Sequence, residues 1–202
     1  MDKRSSIAVL LGLFVAFLAP GLASAQDRGF VVGNFGLTFA ESTDVSYGLT
    51  GGFNVTPAVQ IVGVYSHMND TLTGGFADFL RTTGDIAGVQ IEGKLPADYA
   101  AGGVRFVFQN RESVQVYVQG EGGVGRVTSD LRFFEGGRDI TDEVGEDANV
   151  DETAGALGLA GGVRVALGRA WTGEVAFKWI NILTEVETLK INRLDFGLGV
   201  RF

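Results

Sequence analysis

His67 is the only histidine in the 202-residue chain, and its imidazole could act as a general base near neutral pH. Ser66 precedes it and Asp70 follows shortly after, so a hydroxyl and a carboxylate are both close in the sequence. A catalytic histidine must contact both its nucleophile and an orienting acid. Ser66 and His67 are neighbours in a predicted strand, and such neighbours point to opposite faces. We therefore predict that the chain has no catalytic residues and is not an enzyme.

A second candidate is the acidic segment 147–152, whose oxygen-bearing side chains recur at alternate positions, as in calcium-binding loops. The segment lacks both the glycine and the distal glutamate of the EF-hand pattern. It belongs to a longer acidic stretch, 128–152, which is typical of a solvated loop. We expect no metal site and no cofactor, with a weak contact of this loop to a divalent cation as the alternative.

Isolated charged residues occur within apolar segments, where each would share a strand face with other polar residues. Direct cross-strand pairing around a turn at residues 168–170 places Arg164 opposite Glu174. Seven such residues face the same side of their strands, and six of them, all but Arg201, are assigned to one network. The predicted interior charge network consists of Arg105, Glu121, Arg164, Glu174, Lys178 and Asp195.

One pairing in this network depends on an assumed register. If residue 183 lies opposite residue 190, Lys178 lies opposite Asp195. Opposite charges that meet in a narrow interior satisfy one another and leave little continuous water. The pattern therefore predicts a plug of charged side chains, with a narrow ion path as the alternative.

Eight segments must position these residues, and most alternate apolar and polar residues with the period of two that indicates a β-strand. Each has about ten residues or more, enough at roughly 3.3 Å per residue and a tilt of about 45° to cross an apolar layer of about 25 Å. The third segment alternates poorly. The predicted strands are residues 30–40, 45–54, 58–67, 98–108, 114–127, 153–167, 171–183 and 190–202.

The connections between these strands are mostly short on one side and long on the other. The short turns are predicted at 55–57, 109–113 and 168–170, and the longer loops at 68–97, 128–152 and 184–189. The connection at 41–44 is short for the long-loop side. This alternation is typical of up-and-down membrane barrels, in which an even strand number places both chain ends beside the short turns.

Eight antiparallel strands could form either a membrane barrel or a soluble calyx of the lipocalin type. A calyx buries its apolar face, whereas a membrane barrel turns that face to lipid and keeps its polar face inside. The interior charge network lies on one face, and the opposite faces carry almost no charge. The sequence therefore predicts an all-β fold, an eight-stranded antiparallel up-and-down transmembrane β-barrel.

The amino terminus has the pattern of a cleaved signal peptide. Lys3 and Arg4 precede an apolar stretch at 7–18, and small residues at 23–25 offer a cleavage site before Gln26. We predict a signal peptide at 1–25 and one barrel domain at 26–202. The chain has no cysteine, which excludes disulfides. Its formal net charge of −8 argues against a nucleic-acid partner.

The last eight residues, 195–202, alternate strictly and end on an aromatic side chain. Asp195, Gly197, Val200 and Phe202 fill the pattern polar-x-Gly-x-x-apolar-x-aromatic, which resembles the last strand of small outer-membrane β-barrels of Gram-negative bacteria. The architecture is similar to the OmpA- and OmpX-like members of that group over the whole chain after residue 25. In the family this ending is the signal that the barrel-assembly machinery reads.

The resemblance implies an outer-membrane protein that contacts membrane lipid and lipopolysaccharide and is a monomer. It implies a structural or surface-interaction role for the loops at 68–97 and 128–152. Phe76, Phe79 and Leu80 form an apolar cluster in the first of these loops. A narrow porin-like channel is the alternative. A lipid A-modifying barrel enzyme using His67 is less favoured, because the His-x-Ser order of the deacylases is missing.

Overall fold

The structure is a computed structural model, and it describes residues 29–39, 43–71, 78, 82, 84, 89–110, 113–141, 151–185 and 188–202. The predicted signal peptide at 1–25 lies outside the described residues. The predicted cluster of Phe76, Phe79 and Leu80 also lies outside them, as do residues 147–150 of the acidic segment.

The described residues form eleven strands. They are β1 (Gly29–Phe39), β2 (Thr43–Thr56), β3 (Val59–Met68), β4 (Gln90–Lys94), β5 (Ala97–Asn110), β6 (Val114–Thr128), β7 (Asp130–Glu135), β8 (Arg138–Asp139), β9 (Asp151–Ala166), β10 (Trp171–Leu183) and β11 (Thr188–Arg201). The eight long strands correspond to the eight predicted ones. The third, β3, is regular even though its sequence alternates poorly, because its neighbours on both sides pair with it along most of its length.

The eight long strands close into a barrel in which every pairing is antiparallel. The order around the barrel is β1, β2, β3, β5, β6, β9, β10, β11, and β11 pairs with β1 from Phe30↔Arg201 to Phe39↔Asn192. The predicted eight-stranded antiparallel barrel is confirmed. Its turn end carries the short connections β2–β3, β5–β6 and β9–β10, and its loop end carries the other connections.

Three short strands at the loop end form a separate sheet in the order β4, β7, β8. The sequence prediction assigned both of their segments to loops, and that assignment is wrong for these residues. Opposite charges face each other across this sheet, with Glu92 opposite Arg132 and Lys94 opposite Asp130. The β7–β8 turn is Gly136-Gly137, and both residues have the positive φ that a tight hairpin requires.

Large apolar side chains cover the outside of the barrel. Phe35, Phe177 and Phe196 each expose about half of their surface, while the residues that alternate with them point inward and are buried. Closure leaves no unpaired strand edge, so backbone polar groups can be satisfied within lipid. This is the orientation expected of a membrane barrel and the reverse of a calyx. The described part of the chain contains no helix with the length and hydropathy needed to span a membrane.

The narrow barrel brings some neighbouring strands very close on the inside. At Gly123 of β6, an added Cβ would lie 2.0 Å from the backbone oxygen of Ala100 on β5. Any side chain there would clash with backbone rather than with a movable group. Glycine at this position therefore permits the tight curvature of an eight-stranded barrel.

Candidate functional site

The interior charge network has its centre at Glu174 on β10, which is 5% exposed. Arg105 of β5 donates to both carboxylate oxygens at 3.0 and 3.2 Å. Arg164 of β9 donates to Oε2 from Nε at 2.9 Å and from Nη2 at 2.6 Å. Tyr117 adds a hydroxyl donor to Oε1 at 2.7 Å. The register places Arg164 opposite Glu174, as direct pairing around the β9–β10 turn requires.

A second centre forms around Asp195 on β11. Lys178 Nζ lies 3.1 Å from Asp195 Oδ2, and Arg193 donates to both carboxylate oxygens at 2.5 and 2.7 Å. All three side chains are buried. This centre lies nearer the middle of the barrel than Glu174 does.

The predicted direct pairing of Lys178 with Asp195 is wrong by two residues. Asp195 lies opposite Ala176, and Lys178 lies opposite Arg193. The cause is the β10–β11 connection, in which Leu183 pairs with Thr188 rather than with residue 190. Lys178 still reaches Asp195 because diagonal neighbours on one face lie within the reach of a long side chain.

Glu121 of β6 joins the network through an intermediary. Arg105 Nε donates to Gln119 Oε1 at 2.8 Å, and Gln119 Nε2 donates to Glu121 Oε2 at 2.5 Å. The structure therefore links Arg105 and Glu121 through a neutral amide. All six predicted network residues are buried inside the barrel.

The sequence prediction missed three buried members of this assembly: Tyr117, Gln119 and Arg193. Each lies two or four residues from a predicted member of the same strand and therefore on the same strand face. Strand periodicity alone could therefore have identified them. They were missed because the prediction considered only charged side chains, and among those it left out Arg193.

Aromatic rings support the two arginines that meet at Glu174. The Arg164 guanidinium lies 3.7 Å from the ring centre of Phe30, and the Arg105 guanidinium lies 3.7 Å from that of Tyr117. Stacked guanidinium groups retain their in-plane donors for hydrogen bonds. The rings therefore fix both arginines while leaving their donors directed at the carboxylate.

The loop end of the lumen is filled by an apolar core, which the sequence prediction did not include. Its most buried members, at 0–1% exposure, are Met68, Ala97, Tyr99, Ile180, Ile182 and Ile191. Leu95, which precedes β5, also belongs to this core. Packed apolar side chains exclude water. The lumen is thus closed by apolar contacts at one level and occupied by charge pairs below it.

His67 does not form a catalytic site with either of its sequence neighbours. Ser66 is buried inside the barrel, while His67 is on the outer face. Asp70 instead accepts a hydrogen bond from the backbone N–H of Leu95. The acid beside His67 is Asp98, whose Oδ1 lies 2.9 Å from His67 Nδ1.

The cross-strand partners of His67 complete this outer-face cluster. They are Tyr47 and Asp98, and Tyr47 has its ring 4.9 Å from the imidazole. Neither partner offers a serine or threonine hydroxyl. Tyr65 joins them by donating its hydroxyl to Asp98 Oδ1 at 2.8 Å, so the cluster is an aromatic and polar contact near the loop end.

The described residues of the acidic segment, Asp151 and Glu152, bind protein groups. Arg126 donates to both carboxylate oxygens of Asp151 at 2.7 and 2.5 Å. Glu152 accepts a hydrogen bond from the backbone N–H of Glu185 at 2.7 Å. Among the described residues, no group of three or more histidine or acidic side chains is placed to hold a metal ion.

The four residues of the carboxy-terminal pattern all lie at the seam between β11 and β1. Gly197 faces Val32 and Asn34 so closely that an added Cβ would lie 2.5 Å from Val32 Cγ1. Phe202 exchanges backbone hydrogen bonds with Gly29 at 2.8 and 3.0 Å and is exposed on the outside. Val200 faces outward opposite Val31, and Asp195 faces inward.

The chain matches no protein-family model, and no curated sequence matches it at a significant level. Solved structures do match its fold. The amino-terminal β-barrel domain of Pseudomonas aeruginosa OprF is 11% identical with a TM-score of 0.56, and the alignment covers 88% of this chain and 100% of that domain.

Two further outer-membrane structures show the same likeness. Ail, the attachment invasion locus protein of Yersinia pestis, is 12% identical with a TM-score of 0.52, covering 88% of this chain and 100% of Ail. Neisserial surface protein A is 12% identical with a TM-score of 0.51, covering 86% of this chain and 94% of that protein. At such low identity the likeness concerns the fold alone. The chain therefore has the fold of the small outer-membrane β-barrels.

Proposed function

We propose that this chain is an integral outer-membrane β-barrel with a structural or surface-interaction role, and that its lumen does not conduct. The observation that carries the proposal is the double closure of the lumen. The apolar core around Tyr99 and Ile180 closes the loop end, and the charge pairs of Glu174 and Asp195 fill the part below it. Neither level favours the alternative of a porin-like channel.

The proposed location is supported by the outer surface of the barrel. Its apolar side chains suit membrane lipid, and Tyr47, Tyr65 and His67 lie near the loop end, where aromatic residues commonly meet a membrane interface. Lipid and lipopolysaccharide are the proposed contacts of this surface. Export would use the signal peptide at 1–25, and the barrel-assembly machinery would recognise the pattern that ends at Phe202.

A monomer is proposed, with the loop end outside the cell and the turn end in the periplasm. The sheet formed by β4, β7 and β8 then projects from the cell surface on a rigid barrel, which is where binding residues commonly lie. No step of catalysis enters this proposal, because no serine or threonine hydroxyl is found among the described partners of His67 and Asp98.

The topology can be tested with two epitope tags in the chain expressed in a Gram-negative cell. One tag is inserted between Gly136 and Gly137 at the loop end, and the matched control is inserted at Arg169 in the β9–β10 turn. The first tag should bind antibody on intact cells. The second should bind only after the outer membrane has been permeabilised.

Both insertions lie in exposed turns, so the barrel should tolerate them. The heat-dependent gel shift of folded barrels verifies that each tagged protein is folded. Equal access of antibody to both tags, or access only to the tag at Arg169, would contradict the proposed orientation.

A further inference from the structure

The turn end of the lumen contains a small cavity below the Glu174 centre. Its volume is about 30 Å³, enough for a particle of the size of one or two water molecules. Two of its lining side chains are cations, and none of the described lining residues is acidic. The polar side chains that line it are Asn54, Gln60, Ser113, Gln115, Arg164, Thr172 and Arg201.

The network above this cavity has more positive than negative charge. Arg105 and Arg164 share the single carboxylate of Glu174, and all three groups are at most 6% exposed. Tyr117 and Gln119, the other partners of these groups, are neutral. The centre therefore has one guanidinium charge without a carboxylate of its own.

The imbalance remains when the whole described network is considered. Asp195 is likewise shared by two cations, and Glu121 provides one further carboxylate. Within this network four cations thus face three carboxylates, because the fourth buried carboxylate, Asp70, lies at the loop end beside Leu95. The cations are Arg105, Arg164, Lys178 and Arg193, and the carboxylates are Glu121, Glu174 and Asp195. A buried charge without a counter-charge is costly, so a nearby anion would stabilise the folded barrel.

We infer that the turn-end cavity binds one small monovalent anion of the size of chloride. Arg164 contributes from the roof of the cavity, and Arg201 contributes from β11, where its Nη2 also donates to the backbone oxygen of Gly168 at 2.9 Å. Gln60 Nε2 donates to Asn54 Oδ1 at 2.7 Å and Thr172 Oγ1 to the backbone oxygen of Val165 at 3.2 Å, so Asn54, Ser113 and Gln115 are the neutral donors proposed for the anion. This anion would supply the counter-charge that the Glu174 centre lacks, and it is independent of any partner of the outer loops.

The site can be tested on the folded protein in detergent by ³⁵Cl NMR. Chloride that exchanges with a protein site broadens the resonance, and added bromide should reverse this broadening by competition. We expect saturable broadening for the unaltered protein. If the broadening does not saturate, or bromide does not compete, no such site exists.

A matched pair of arginine variants separates the cavity from general surface binding. Arg201→Gln removes a lining cation and should weaken chloride binding by about tenfold, which corresponds to the loss of one hydrogen bond to a charged group. Arg169→Gln removes an exposed arginine from the nearby turn and should leave the binding unchanged. Equal weakening in both variants would overturn the proposed site.

A second variant keeps the inference testable if Arg201→Gln does not fold. Gln115→Glu places a carboxylate in the cavity and so supplies the missing negative charge from the protein itself. In the unaltered protein, the unfolding midpoint should fall when chloride is replaced by gluconate at constant ionic strength. In Gln115→Glu the unfolding midpoint should be the same in chloride and in gluconate. A midpoint that depends on chloride as strongly as in the unaltered protein would contradict the inference.

Discussion

Glu174 receives hydrogen bonds from three side chains on three other strands: Arg105 on β5, Tyr117 on β6 and Arg164 on β9. It therefore ties together strands that are distant in sequence. All of these groups are at most 6% exposed, so the Glu174 carboxylate also supplies the negative charge that allows the two arginines to be buried.

Replacing this carboxylate with an amide should destabilise the barrel strongly. Glu174→Gln leaves Arg105 and Arg164 buried beside each other without their shared anion, and breaking a buried pair in this way costs about 3–5 kcal/mol. The free energy of unfolding, measured by denaturant titration in lipid vesicles, checks the prediction.

The control for this variant is Glu185→Gln, at an exposed position between β10 and β11. Its free energy of unfolding should remain close to that of the unaltered protein. If Glu174→Gln were as stable as Glu185→Gln, the Glu174 carboxylate would not stabilise the barrel by pairing with Arg105 and Arg164.

A second residue-scale prediction concerns Asp139 in the sheet outside the barrel. The hydroxyl and backbone N–H of Thr141 donate to Asp139 Oδ1 at 2.6 and 2.9 Å and hold the pKa of that carboxyl below its ordinary value. Since the folded pKa is lowered, the stabilisation is present above the unfolded pKa and is lost as the pH falls through the folded one. Thr141→Val should raise the pKa of Asp139, measured by NMR titration of its carboxyl carbon.

The raised pKa should still be below the ordinary value, because the backbone N–H donor remains in Thr141→Val. Thr128→Val, which lacks contact with Asp139, serves as the control and should leave this pKa unchanged. An unchanged pKa in Thr141→Val would show that the hydroxyl does not hold the carboxylate in solution.

At the scale of the elements, two glycines of β9 differ in the space that is available for a side chain. An added Cβ at Gly158 would lie 2.7 Å from both Glu121 Oε1 and Tyr99 Oη, whereas one at Gly155 would meet nothing within 4 Å. Gly158→Ala should therefore destabilise the barrel by about 1–3 kcal/mol through overpacking. Gly155→Ala should change its stability by less than about 0.5 kcal/mol.

The two positions lie in the same strand but on opposite faces, so their comparison separates interior crowding from strand propensity. Denaturant unfolding of both proteins in the same vesicles measures the difference. Equal stabilities would mean that Tyr99 and Glu121 are not packed against β9 as they are in this structure.

The strands that could be predicted are those with strict alternation or a clear turn signal, such as β11 and the β2–β3 turn at Pro57. The alternation of residues in β9 and β10 also predicted that Arg164 and Glu174 face inward. The β10–β11 register could not be predicted, because nothing in the sequence of that loop specifies which residue pairs with Leu183. Strands β4 and β7 were missed because they are short and carry charges that compensate one another only after pairing.

The apolar core escaped prediction for a different reason. In β10, residues 179–183 are apolar on both faces apart from Asn181, so alternation does not distinguish the lipid side from the lumen there. Only the closed barrel shows that Ile180 and Ile182 point inward and meet Tyr99 and Met68. The closing feature of the lumen is therefore a property of tertiary packing.

At the scale of the whole molecule, the central claim is that the closed barrel has no continuous water path. Single-channel recording of the folded protein in a planar bilayer tests it most directly, after a heat-dependent gel shift has verified folding. The structure predicts no conductance above that of the bare bilayer. Steady, reproducible conductance from the verified barrel would contradict the claim and favour a channel instead.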